Sequence, residues 1–226
     1  MSLNVTFLGH SGFVFDDGKH RVAVDPFLTG NPVAASIPAE IEVDAIALTH
    51  GHADHVGDTV EIAKRCDCPV IAAFELCNIL QGKGLEKLEP GNPGGRVYTD
   101  FGYVAFTQAF HSSSYEGQYA GLPCGLVLRF SDAGATVYHT GDTSLFSDMQ
   151  LIGELAQPDI MCVCMGDRFT MDARLATIAT EMVNPRVAIP IHYKTWPLLA
   201  QTIDGFEPQD IEVREMQPGQ TWTWQG

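Results

Sequence analysis

Thr49-His50-Gly51-His52-Ala53-Asp54-His55 is the stretch that decides how this chain folds and what it holds. Imidazole and carboxylate together suit borderline divalent cations such as Zn, Mn, Fe or Ni. Four such side chains, His50, His52, Asp54 and His55, fall within six positions. They follow an apolar run, Ala45-Ile46-Ala47-Leu48, and precede a helical pattern that begins near Asp58. A strand-to-helix loop of this kind can turn all four groups toward one small volume. Chance is a poor alternative, because the 226 residues contain eight histidines and three of them stand here around an Asp.

Three further donors share a placement. His111 comes shortly after the run Tyr103-Val104-Ala105-Phe106. Asp142 follows Thr136-Val137-Tyr138 within His139-Thr140-Gly141-Asp142-Thr143, and His192 follows Val187-Ala188-Ile189-Pro190-Ile191. A lone His past a strand is more often structural, but three such positions beside a four-donor loop reverse that expectation. Packed sheets gather strand ends on one rim, where open α/β folds place their sites. His139 is expected inside its strand and His20 in a turn, and neither is assigned to metal.

Working outward, short apolar runs recur along the whole chain. Strands are expected around residues 5–8, 22–24, 45–48, 70–74, 103–106, 125–130, 136–138, 160–164, 187–189 and 211–213. Several are apolar at every position, so both of their faces are covered. Helices are expected over 58–65, with Asp58 as the cap, and over 74–81, 147–156 and 172–183. Early strands are joined by turns and later ones are separated by helices. The fold class is therefore α/β: two mixed sheets packed together with helices outside, an αββα sandwich. No linker divides the sequence, so residues 1–226 are read as one domain.

Composition bounds the partners. Hydrophobic residues make up 45%, which excludes a disordered chain. The formal charge of -15 disfavours nucleic acid and acidic membranes, both of which need basic patches. No apolar run is long enough to span a bilayer. The six cysteines, Cys66, Cys68, Cys77, Cys124, Cys162 and Cys164, lie in strand-like and helix-like settings. They are expected to be free thiols of a reducing compartment. With no basic region and apolar stretch at the N-terminus, a cytoplasmic location is expected. Nothing in the sequence fixes an oligomeric state.

With these residues in view, the chain resembles the metallo-β-lactamase superfamily. The H-x-H-x-D-H pattern stands as His50, His52, Asp54 and His55, followed in family order by His111, the Gly141-Asp142 pair and His192. Within the superfamily it is similar to small metal-dependent hydrolases akin to ascorbate-6-phosphate lactonases. That likeness rests on Gly9-His10-Ser11-Gly12-Phe13, Asp25 to Pro32, Gly57-Asp58-Thr59, His111-Ser112-Ser113 and Phe169-Thr170-Met171. Asp167-Arg168 departs from the pattern, where smaller neutral residues are expected. The resemblance implies two divalent ions, Zn or Mn foremost and Fe or Ni as further options. His50, His52 and His111 would hold one, Asp54, His55 and His192 the other, and Asp142 would bridge them. Seven ligands for two ions leave positions open, as a catalytic site requires.

The implied chemistry is hydrolysis of a small ester, lactone or phosphoester by a metal-activated hydroxide. Asp54 would ligate and orient the attacking oxygen. His10 is open to two roles, orienting a ligand or touching substrate on one hand and bonding backbone on the other. Asp25 either holds the ring N–H of a liganding His or caps the Pro26 turn. Tyr193 and Lys194 follow His192, which admits an anionic substrate; the plainer alternative for Lys194 is solvent exposure. Two other functions compete: an RNA-processing phosphodiesterase, which the acidic charge disfavours, and a non-catalytic metal-binding domain, which the complete donor set disfavours.

Overall fold

Residues 2–226 are described by a computed structural model. The chain opens with an antiparallel meander of β1 (Leu3–Gly9), β2 (Gly12–Asp16) and β3 (Arg21–Val24). It continues in parallel, with β4 (Ala45–Ala47) beside β3. Parallel neighbours need crossovers. The helices α1 (Ala53–Val56) and α2 (Thr59–Cys66) lead to β5 (Val70–Ala73), and α3 (Phe74–Gly82) leads to β6 (Leu88–Gly91).

The second half repeats this plan. β7 (Arg96–Thr99) and β8 (Gly102–Gln108) pair antiparallel, and a small hairpin of β9 (Ser114–Tyr115) and β10 (Gln118–Tyr119) follows. β11 (Cys124–Phe130) then pairs antiparallel with β8 and with β12 (Ala135–His139). Through α4 (Met149–Ala156) and α5 (Ala173–Val183) the chain adds β13 (Ile160–Cys164), β14 (Val187–Ile191) and the short β15 (Glu212–Val213), all parallel. Finally β16 (Thr221–Trp224) returns to the first sheet, antiparallel to β1. The result is two seven-stranded mixed sheets.

The period-2 alternation of side chains explains the runs that are apolar throughout. Phe13 and Phe15 of β2 enter the core shared with the second sheet, where Phe15 meets Phe130 at 5.9 Å between ring centroids. Val14, between them, faces the other way into a cluster with Ile46, Val70, Ile62, Leu76 and Leu80, beneath α2 and α3. The expected sandwich is therefore the observed one.

Element bounds agree with expectation to within a few residues for most strands, and α5 starts where Asp172 caps it, accepting from Leu175 N–H at 2.7 Å. Asp58 does not cap α2. Its backbone is not extended as a cap requires, and its carboxylate instead accepts from the N–H groups of Leu28 and Thr29, both at 2.8 Å. That bond ties the loop after β3 to the loop carrying the donors. β2, β6, β7, the β9–β10 hairpin and β16 were not expected from sequence. All six cysteines are free. Among the described residues no helix is long and apolar enough to cross a membrane.

Candidate metal centre

Each expected donor sits just past the C-terminal end of a strand, on one rim of the sandwich. His50 follows β4, His52 precedes α1, and Asp54 and His55 lie within α1. His111 lies between β8 and β9, Asp142 follows β12, and His192 follows β14. His10 stands in the β1–β2 turn on the same rim.

Buried polar groups fix how the rings present themselves. Asp25, fully buried, accepts from the Thr49 N–H at 2.9 Å and the Thr49 hydroxyl at 2.6 Å. It also accepts from His55 Nδ1 at 2.7 Å. Thr49, having donated its hydroxyl proton, receives the Nδ1–H of His50 at 3.0 Å. Both rings are thereby held with their Nε2 atoms turned inward. Of the two roles open for Asp25, the structure shows the one that orients a donor ring.

The seven donors converge in two nests around Asp142. In the first, His50 Nε2 lies 3.0 Å from His52 Nδ1, and His111 completes a group whose ligand atoms all fall within 4.8 Å of one another. In the second, Asp54, His55 and His192 meet the same limit together with His10, whose ring nitrogen also lies within it. Asp142 reaches both nests: its carboxylate is 3.3 Å from His55 Nε2, 2.9 Å from His192 Nε2 and 3.5 Å from His111 Nε2.

This geometry fits divalent metal. His55 Nε2 and Asp142 Oδ1 are buried and face each other, yet neither has a hydrogen-bond partner. Burial alone would discharge His55, but the Asp142 and Asp25 carboxylates outweigh it and raise its pKa well above the ordinary imidazole value. A proton thus stands where a cation bound at Nε2 would displace it. Burial would raise Asp142, yet the charges of His192 and His55 hold its carboxyl well below the usual range. Burial, reinforced by His55, keeps His50 neutral. For Asp54, the hydrogen bond from His10 and the charge of His55 override burial and keep the carboxyl ionised. His10 itself is lowered to about 4, by burial first and then by His192.

The backbone at this rim is unusual. His10, Asp25, His192 and Lys194 have φ of 57°, 45°, 61° and 63°, left-handed values that non-glycine residues adopt rarely and that cluster at functional sites. Gly57 is required where it stands: its φ is 45°, and a Cβ there would come within 2.5 Å of Phe27 Cα and Pro26 O. Gly166 is required by close approach, since a Cβ would lie 2.1 Å from the carbonyl of His192.

A cleft of about 370 Å³ opens onto the donors, walled by Phe169, Trp196 and Ser112. Ser112 belongs to the His111-Ser112-Ser113 stretch singled out in the sequence, whereas Trp196 carries no spacing or pattern that marks it there. Ser112 Oγ lies 3.3 Å from His52 Nε2. Lys194 does not face this cleft. Its ammonium donates to Glu215 at 2.6 Å, Tyr193 donates to the same carboxylate at 3.0 Å, and both line a separate cavity of about 400 Å³. Arg168 stands at the rim, its guanidinium 5.8 Å from the Phe169 ring centroid. His139 ends β12 and is satisfied structurally, between the Ser11 carbonyl at 2.8 Å and the Gly141 N–H at 3.1 Å. His20 lies in the turn before β3, beside Asp17. Neither joins the metal nests.

Comparison with known proteins places this rim in context. Residues 4–192 match the family described as β-lactamase superfamily domain. A UPF0173 metal-dependent hydrolase of Carboxydothermus hydrogenoformans is 44% identical over 225 residues, covering 96% of this chain and 98% of that protein. Another from Archaeoglobus fulgidus is 43% identical over 231 residues, covering 97% and 98%. Among solved structures, Igni18, a metallo hydrolase from the hyperthermophilic archaeon Ignicoccus hospitalis, is 33% identical, with a TM-score of 0.89 and 99% of each chain covered.

Proposed function

The chain belongs to the β-lactamase superfamily as a metal-dependent hydrolase, and on that premise we propose that it works with two adjacent divalent ions. His50, His52 and His111 would hold one ion, Asp54, His55 and His192 the other, and Asp142 both. Zn and Mn suit these donors best, and Fe and Ni are compatible with them. Ions bound there would supply Lewis acidity, enough to bring the pKa of a water toward about 7. The substrate is a small ester, lactone or phosphoester, bound in the cleft under Phe169 and Trp196. The whole chain, 1–226, acts as one catalytic domain, because the donors come from loops spread along its length.

The residues divide the remaining work. Asp25 and Thr49 hold the Nδ1 sides of two imidazoles, so that Nε2 is the atom each would present to an ion. Asp54 borders the cleft and can orient the attacking oxygen and accept a proton from it. Phe169 and Trp196 exclude water from one side of a bound substrate. The observation that carries this proposal is the position of Asp142, within 3.5 Å of a ring nitrogen in each nest. Elemental analysis of the purified protein, coupled to a panel of esters, lactones and phosphodiesters assayed with added Zn or Mn, tests it. Two ions per chain and metal-dependent turnover are expected. One ion or none after loading, with no turnover across the panel, would overturn it.

A further inference from the structure

We propose that His10, held by Thr195, is a positioning residue that orients the Asp54 carboxylate toward the second nest. This rests on the paired-ion function above. His10 is only 1% exposed, and its ring lies among the donors, with centroids 4.2 Å from His192 and 5.6 Å from His55. Its Nε2 is 3.2 Å from Asp54 Oδ2 and its Nδ1 is 2.8 Å from Thr195 Oγ1. A carboxylate accepts only, so the proton stands on Nε2, and Nδ1 accepts from the Thr195 hydroxyl. Thr195 supports the tautomer that grips Asp54 by turning its hydroxyl proton to Nδ1, at 2.8 Å, rather than to the Tyr193 carbonyl, at 3.4 Å.

Among the described residues, His10 is the only hydrogen-bond donor to the Asp54 carboxylate. Asp54 needs one, because it sits in the four-residue α1 at the mouth of the cleft, with its side chain 28% exposed. Its single-bonded χ angles are otherwise free to turn it into solvent. Gripping Oδ2 leaves the other oxygen to face the nest. Phe27 and Trp196 pack about the ring, with centroids 6.0 and 5.0 Å away, and the two hydrogen bonds set which nitrogen carries its proton. The backbone is arranged to the same end. The His192 N–H donates to the His10 carbonyl at 2.8 Å, so the β1–β2 turn and the loop carrying His192 and Thr195 form one unit. Both His10 and His192 take left-handed φ to make that join. Sequence alone leaves Thr195 unmarked.

The test compares wild type with H10A, H10Q, T195V and T195S. Each purified chain, stripped of metal, is titrated with Zn or Mn, with circular dichroism as a check on folding. Wild type is expected to take two ions. H10A and T195V should bind the first ion with unchanged affinity and the second about 10–100-fold more weakly, the range for losing a group that orients a metal ligand. H10Q, whose amide N–H can reach Asp54, and T195S, which restores the hydroxyl, should recover most of that loss. A purely packing role would not separate Thr from Val at position 195, which have nearly the same shape. Second-ion affinities equal to wild type in both H10A and T195V would overturn the inference while leaving the paired-ion function intact. H10Q as weak as H10A would also overturn it, because His10 would then be a ligand in its own right. If wild type takes fewer than two ions, the paired-ion function falls and this inference with it.

Discussion

The two nests of donors are built to different standards. In the first, His52 and His111 are partly exposed at the cleft, and His52 is steadied by Ser112 at 3.3 Å. In the second, His55 and His192 are buried, Asp25 fixes His55 at 2.7 Å, and Gly166 lets the His192 loop pack closely. The first nest depends mostly on one short loop, His50-Gly51-His52. The second draws on the β1–β2 turn, α1 and the loop after β14, elements from both halves of the chain. The second is therefore the more preorganised, and damage to its supports should reach the stability of the fold. Damage to the first should stay local.

The largest effect is expected where the nests join. Asp142→Ala removes the one carboxylate that faces both, so metal content should fall by both ions and hydrolysis should be lost, as read by elemental analysis of folded protein. A folded variant that keeps two ions would remove the joint and with it the comparison. Next comes Asp25→Ala, which strands the His55 ring N–H and two donors of Thr49 in the interior. A loss of about 1–3 kcal/mol in unfolding free energy is expected, the cost of leaving buried donors unpaired, along with weaker binding in the second nest through His55 and, by way of Thr49 and His50, a smaller weakening in the first. Urea titration of the metal-free protein measures the first effect apart from the second.

His111→Ala should act on the first nest alone. Close to one ion should remain, and the stability of the metal-free chain should change by no more than about 0.5 kcal/mol, as for other partly exposed positions. An equal loss of both ions would show that the nests are not separable. The smallest effect belongs to Lys194→Ala. Its ion pair with Glu215 is exposed at both ends, and such pairs contribute about 0–1 kcal/mol. Metal content should match wild type, since Lys194 lies outside the cleft. A marked fall would place Lys194 in the site after all.

This contrast also separates what can be read in the sequence from what cannot. The first nest is nearly explicit: His50 and His52 are two residues apart after an apolar run, and adjacency in sequence becomes adjacency in space. The distant donors His111, Asp142 and His192 are readable because strand ends share a rim, so an apolar run followed by a donor is a positional signal. The supports of the second nest are not readable in this way. Asp25 admits two roles until the His55 ring is seen against it. Thr195 and Trp196 come into place through the left-handed backbone of His192 and Lys194, which no local pattern announces. The same limit applies to the fold. β2 holds only Phe13-Val14-Phe15 between turns, and β16 pairs with β1 from the opposite end of the chain. Its alternating Thr221-Trp222-Thr223-Trp224 has one wet face, unlike the wholly apolar runs that marked the central strands. Asp58 shows the converse error, since a residue with the right identity for a cap is spent instead on the loop at Leu28 and Thr29.

Anomalous diffraction from crystals of the metal-loaded protein, collected at the absorption edge of the ion supplied, tests the paired centre most directly. Two peaks are predicted, one bonded to His50, His52 and His111, the other to Asp54, His55 and His192, with Asp142 in contact with both. A single peak at full loading, or two peaks that do not share Asp142, would contradict the account.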